Sequence, residues 1–333
     1  MILAIDGMGG DHAPKSVIDG AVLALNELPN LKIKLYGNKE KLKPFLTEHE
    51  RLEIIHCEEV IEGEDDPARS IRRKKDASMT RMLEAVTDGS ADACLSAGNT
   101  GALMAGGLFK VGRIEGVSRP ALATTLPTID GQGFLMLDLG ANADAKPENI
   151  VQYAIMGNIY AKQVRGIERP RVGLLNIGTE DKKGNELTKS VFGLLKEADL
   201  HFIGNVEARD LLNNVADVVV TDGFTGNMVL KSIEGTAGAM MSMLKEAFMA
   251  SGKTKISALL MKNELKKLKT KLDYSEHGGA ALFGLQAPVI KAHGSSNARA
   301  IYSAIRQAAI MAEHNVTEVI KTTIAISNKQ QGE

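Results

Sequence analysis

Short apolar runs alternate along the chain with longer stretches of helical period, almost from end to end. Ile2–Ile5, Leu31–Tyr36, Leu52–His56, Asp92–Leu95, Ala121–Leu126, Gly133–Leu137, Val172–Leu175, His201–Ile203, Asp217–Val220 and Pro288–Lys291 read as strands. Helices are expected from Pro14 to about Glu27, from Ser78 or Thr80 to Thr87, after Gly101 to Phe109, from Pro147 to Val164 and up to Ala198. A long helical region runs from Asn227 to about Leu272 with a break near Ser251-Gly252, and amphipathic helix fills most of the chain after Ser296. Glu58–Asp76, acidic first and basic later, reads as an irregular exposed segment. Strands alternating with helices predict an α/β fold with a largely parallel sheet. No Pro- or Ser-rich linker divides the chain, so residues 1–333 are expected to form one domain.

One device recurs. A buried strand ends in a loop of Gly with Asp, Asn, Ser or Thr, and a helix begins. It occurs at Asp6–Pro14, Ser96–Gly101, Asp138–Asp144, Asn176–Asn185, Thr221–Asn227 and His293–Ser296. The clearest case is Ala216–Lys231, where Val218, Val219 and Val220 precede a Gly-rich turn and a helix start. A helix N-terminus there points unpaired N–H groups at an anion, although a well-capped turn without a ligand has the same sequence. In a parallel sheet all six loops are expected at one edge, where open α/β folds bind ligands.

Composition narrows the function. The net charge of −1 gives no global pull toward nucleic acid, and 4% aromatic residues with no Trp leave no stacking platform. Two cysteines, Cys57 and Cys94, point to a reducing compartment with no disulfide framework or Cys-type metal site. No secretory signal and no membrane-spanning run is visible, so the expected location is cytoplasmic.

The loops lack a P-loop, a complete dinucleotide fingerprint, a G-x-S-x-G elbow and an H-E-x-x-H helix. A dehydrogenase on a similar fold would need a nicotinamide site and a metal-binding acid cluster, and neither can be assembled. What the loops hold is backbone amide, small hydroxyls, the amides of Asn99, Asn142 and Asn227, and cations such as Lys182. That set suits phosphate and a developing oxyanion. Cys94 lies inside a strand and reads as structural, and Ser96 has no His partner nearby, so direct transfer between bound substrates is favoured over a covalent intermediate. Asp6, Asp138, Asp144 and Asp222 are the acids of the loops, suited to capping or to orienting a cation.

Lys253–Leu272 is a separate feature. Met261, Leu265, Leu268 and Leu272 share a helical face led by Leu259 and Leu260, and seven lysines surround it: 253, 255, 262, 266, 267, 269 and 271. This is the pattern of a helix lying on an anionic membrane surface or pairing in a dimer, ahead of an ordinary surface helix packed on the core.

DGMGGDHAP, LSAGNTGALMAGG, DLGANADAKPE, LLNIGTEDKKGNEL, GNVEARD, TDGFTGNMVLKSIEG and AHGSSNARAI together resemble the bacterial phosphate acyltransferases of phospholipid synthesis, in order from Ile2 to about Ile310. The resemblance implies transfer of a fatty acyl group from acyl carrier protein to inorganic phosphate, with no cofactor and no metal. It implies a three-layer α/β/α sandwich similar to isocitrate and isopropylmalate dehydrogenases. It also implies a homodimer held peripherally at the inner face of the plasma membrane, near the downstream glycerol-phosphate acyltransferase, with a helical protrusion at about 227–273. By motif, its important lysine maps to Lys182, with Lys183 adjacent, and its asparagine to Asn227. The expected substrate-binding positions are Asp6, Gly9, Gly10, Asp11, His12, Ser96, Asn99, Thr100, Gly101, Asp138, Asn142, Asp144, Thr179, Asp222, Thr225, Gly226, His293 and Ser295. Leu259, Leu260, Met261 and Leu265 are the expected membrane contacts, and either Arg69–Lys75 or the Lys-rich helix docks the acidic carrier protein.

Overall fold

The computed structural model describes residues 1–266 and 278–331. In chain order the elements that position the site begin with β1 (Ile2–Asp6), α1 (Lys15–Glu27), β2 (Lys32–Gly37), α2 (Lys39–Leu42), β3 (Leu52–His56), α3 (Pro67–Arg73), α4 (Ser78–Thr87), β4 (Ala93–Ser96) and α5 (Thr100–Gly106). The middle of the chain forms β5 (Ala121–Leu126), β6 (Phe134–Leu137), α6 (Pro147–Gln163), β7 (Val172–Asn176), α7 (Glu186–Glu197), β8 (Phe202–Glu207) and β9 (Val218–Val220). Then come α8 (Gly223–Met249), α9 (Gly252–Leu260), β10 (Ala280–Phe283), β11 (Val289–Lys291), α10 (Ala298–Glu313) and α11 (Val316–Gln331).

All the strands join one 11-stranded sheet in the order β3-β2-β1-β4-β11-β10-β5-β6-β9-β7-β8. Side chains alternate across it, as the period of two requires. Leu3 and Ile5 face one core and Ala4 the other; Leu135 and Leu137 oppose Phe134 and Met136; Val218 and Val220 oppose Val219. Buried residues of α1, α6, α7, α10 and α11 complete the first core, and those of α3, α4 and α5 complete the second. The result is the expected three-layer α/β/α sandwich.

The sheet is parallel except in its middle, where β11–β10, β10–β5 and β5–β6 pair antiparallel. β10 was not among the expected strands, because Ala280-Ala281-Leu282-Phe283 is short and flanked by glycines. A second departure is α3, which lies inside the segment read as irregular. Asp66 caps it by accepting from the Arg69 amide at 2.8 Å, and Pro67 takes its first position.

α8 breaks from the body. Only Gly223 and Gly226 are buried along its 27 residues. The expected break follows at Ser251, which caps α9 through Thr254. Leu259, Leu260 and Met261 are exposed at the end of α9, whereas Leu265 is half-buried. Lys267, Leu268, Lys269, Lys271 and Leu272 lie outside the described residues.

The ends of the chain are joined where α1 packs on α10. A Cβ on Gly20 would sit 2.6 Å from Ile301 Cβ and 2.8 Å from the Ala298 carbonyl oxygen. Gly20→Ala gains at most about 1 kcal/mol of helix propensity. The clash is with a Cβ and a backbone atom, so overpacking of about 1–3 kcal/mol outweighs that gain. The expected outcome is a lower urea midpoint at unchanged m-value.

Candidate active site

The three antiparallel pairings turn the second half of the sheet round. The carboxyl ends of β1, β4 and β11 therefore lie at one edge, and those of β6, β9 and β7 at the opposite edge. The six loops do not converge. They form two clusters of three, which corrects the expectation drawn from a parallel sheet.

The first cluster contains Asp6, Gly9, Gly10, Asp11, His12, Ser96, Asn99, Thr100, Gly101, His293 and Ser295, and it is closed on itself. The buried Asp6 carboxylate accepts from Ser78 Oγ at 2.6 Å, Ser96 Oγ at 2.7 Å and the Met8 amide at 3.1 Å. Burial raises its pKa despite those bonds. Ser96 Oγ also accepts from the Gly98 amide, and the Asp11 amide donates to the Gly294 carbonyl. A Cβ on Gly9 would meet Asp6 Oδ2 at 2.5 Å and the Gly98 nitrogen at 2.6 Å. Asn99 caps α5 and donates to the carbonyls of Glu62, Gly63 and Asp65, and Gly101 abuts Pro67. Asp6 and Ser96 hold loops to one another; Asp11, His12, Thr100, His293 and Ser295 form the exposed rim. His293 Nδ1 and Ser295 Oγ lie 2.9 Å apart within that rim.

Lys291 was missed by the sequence reading. Its ammonium, on a residue only 8% exposed, donates to the carbonyls of Ala97 and Ala292. Burial lowers its pKa to about 8, against the pull of Asp6 and Asp11. The only signal in the sequence is a charge closing an apolar strand, Val289-Ile290-Lys291.

The second cluster is built around Asp138, which is also buried. Its carboxylate accepts from the amides of Leu122, Ala141 and Asn142 and from Asn142 Nδ2, at 2.7–3.0 Å. Burial again raises its pKa. α8 begins directly against this loop. The Gly223 amide donates to the Asn142 carbonyl at 2.9 Å, and a Cβ on Gly226 would fall 1.9 Å from the Asp138 carbonyl oxygen. No side chain fits at Gly226. Asp222 caps the helix, accepting from the Thr225 amide at 2.8 Å and the Thr225 hydroxyl at 2.7 Å, and its carbonyl takes the Gly226 amide. These amides are engaged by the protein's own carboxylates and backbone carbonyls, so the backbone cradle anticipated at Ala216–Lys231 is largely closed.

What the second cluster leaves open is side chain. Asn227 is half-buried and its carboxamide faces Gly140, whose φ of +126° suits glycine. On the neighbouring strand, Asn176 donates to the Lys183 carbonyl at 3.1 Å and to Asn205 Oδ1 at 3.0 Å, while Asn205 donates to the Glu180 carbonyl. Asn205, another residue the sequence reading missed, thus ties down the loop that carries Thr179, Lys182 and Lys183. Lys183 lies 3.9 Å from Glu180, whereas the exposed Lys182 has no ion pair among the described residues. Asp144 and Thr179 are exposed on the same edge. Both thiols are buried, and burial pushes Cys94 well above the ordinary thiol range, as its place inside a strand led us to expect.

The family model described as "Fatty acid synthesis protein" matches residues 1–319. The chain belongs to that family. It is 76% identical over 324 residues to a phosphate acyltransferase of Lysinibacillus sphaericus, covering 97% of this chain and 98% of the relative. It is 61% identical to a phosphate acyltransferase of Oceanobacillus iheyensis over 100% of both chains. A phosphotransacetylase structure from Streptococcus pyogenes shares the fold, with a TM-score of 0.59 at 17% identity, covering 96% of this chain and 94% of that one. Members of this family with such relatives are acyltransferases, and this chain is one whose acyl transfer involves phosphate. No helix among the described residues is long and apolar enough to cross a membrane.

The Lys291 amine titrates near pH 8 in the fold and near 10.5 when unfolded. Between those values the unfolded chain binds more protons, so stability rises with pH across that window, by up to roughly 3 kcal/mol. Urea unfolding of the wild type and of Lys291→Met at several pH values is expected to show this rise in the wild type and its loss in the variant.

Proposed function

We propose that the second cluster transfers a fatty acyl group from the thioester of acyl carrier protein to inorganic phosphate, giving acyl phosphate for phospholipid synthesis. The observation that carries this reading is the pair Lys182 and Asn227, uncommitted polar side chains on the loop after β7 and at the start of the helix after the adjacent strand β9. A phosphate oxygen attacks the thioester carbonyl carbon. The tetrahedral oxyanion then collapses with loss of the carrier thiolate. Phosphate is already a nucleophile and a thiolate leaves readily, so positioning and charge stabilisation suffice. Lys182 offsets the charge of phosphate, and the Asn227 carboxamide donates to phosphate or to the developing oxyanion. Asp138 and Asp222 act behind them by fixing the loops. The Lys183–Glu180 contact favours Lys182 as the working lysine.

The α8–α9 arm is proposed to serve the same pathway as a homodimer contact and as a peripheral anchor on an anionic membrane, beside the enzyme that consumes the product. Ile256, Leu259, Leu260 and Met261 are exposed there among Lys253, Lys255, Lys262 and Lys266. Each lysine near such a surface contributes about 1 kcal/mol.

Lys182→Ala and Asn227→Ala are each expected to lower acyl-phosphate formation about 100-fold or more with folding intact, and Lys183→Ala to cost far less. Near-wild-type turnover in either of the first two variants counts against the assignment. Replacing Leu259, Leu260 and Met261 by Ser is expected to reduce co-sedimentation with anionic vesicles and to leave turnover in solution unchanged; undiminished sedimentation counts against the anchor.

A further inference from the structure

Three large apolar side chains stand in water at the edge that carries Lys182 and Asn227. Ile177 is 79% exposed, Phe224 65% and Met228 53%. Single exposed hydrophobics are ordinary on a protein surface. Here two share one helix face and the third follows the end of a neighbouring strand. Phe224 and Met228 are four residues apart on α8 and so are neighbours on one helix face. That face is turned away from the core, because Val229, Leu230 and Ile233 are the α8 residues that pack against it. Ile177 follows directly on Asn176 at the end of β7, the strand beside β9.

Their distance from the reacting groups is fixed by the helix. Phe224 precedes Asn227 by three residues and Met228 follows it, so all lie within about one turn, roughly 5 Å along the axis. An acyl carbonyl carbon is bonded directly to the first carbon of its chain. A thioester carbonyl held at Asn227 must therefore release its alkyl chain within that same turn. A wholly polar surface there would leave the chain in water, and Phe224 and Met228 supply an apolar one.

We infer that Phe224, Met228 and Ile177 receive the first part of the fatty acyl chain and set which chain lengths are transferred. The inference rests on the acyl transfer proposed for the second cluster. These residues discriminate by area removed from water: a long chain covers all three, whereas a chain of a few carbons ends before it can.

The test compares turnover of palmitoyl and butyryl carrier thioesters with inorganic phosphate, in the wild type, in Phe224→Ser/Met228→Ser and in Ile177→Ser. Oligomeric state and vesicle binding are recorded on the same samples. The expected result is a fall of about tenfold or more in the palmitoyl-to-butyryl ratio of kcat/KM in the double variant and a smaller fall in Ile177→Ser. An unchanged ratio overturns the inference, whatever happens to the absolute rates. Loss of the dimer at unchanged ratio would assign the face to a second copy of the chain, and loss of vesicle binding at unchanged ratio would assign it to lipid; both overturn it. Failure of the underlying reaction is separately visible, because the wild type would then form no acyl phosphate from either thioester.

Discussion

β10 has to satisfy hydrogen bonds on both its sides, and it does so antiparallel to β11 and to β5. β5 is in turn antiparallel to β6. An odd number of reversals separates the two parallel blocks, so the strand ends of one block emerge where the strand starts of the other do. Every later feature depends on this. The same loop chemistry, repeated six times along the chain, becomes two structures with different roles. At one edge the loops close on each other around Asp6 and Lys291. At the other they leave Lys182 exposed and the half-buried Asn227 carboxamide without a hydrogen-bond partner among the described residues.

The two edges share a physical problem and solve it alike. Each has a buried carboxylate at the end of a strand, desolvated enough to raise its pKa, and each surrounds that carboxylate with donors from neighbouring loops. Asp6 recruits two serine hydroxyls and backbone amide; Asp138 recruits three amides and a carboxamide. A buried acid with several donors is a strong constraint on loop geometry, since removing any donor leaves polar groups without water or partner. At both edges the acid is buried behind the exposed residues of its loops.

Much of this was legible in the sequence. The layers follow from the period of two in the strands and from the helical spacing between them, and the motif loops were all located. What failed has physical causes. Ala280–Phe283 lacks the β-branched content that marks a strand, and its pairing is imposed by the neighbours it bridges. The two reversals at β10 cancel, since β11 and β5 run the same way. The net turn of the sheet comes from the antiparallel β5–β6 pair, whose reversal was not carried through to the loops when the sheet was read as largely parallel. α3 was hidden by its charge, because exposed helices of mixed charge resemble loops in composition. Lys291, Ser78 and Asn205 were missed because their importance lies in contacts to residues far away along the chain. The N-terminus of α8 was found, but not that Asp222 and Asn142 had already engaged its amides and those around it.

α8 has a mechanical consequence. It is rooted by two buried glycines in its first turn and by Val229, Leu230 and Ile233 packed on the core, and beyond them its remaining turns are largely uncovered. Asn227 sits at that root. A helix is stiff along its axis, so α8 works as a lever whose short arm carries Asn227 and whose long arm ends at α9. A force that holds the far end fixes the angle of the near end. A load applied at α9 would therefore be carried to the turn that holds Asn227.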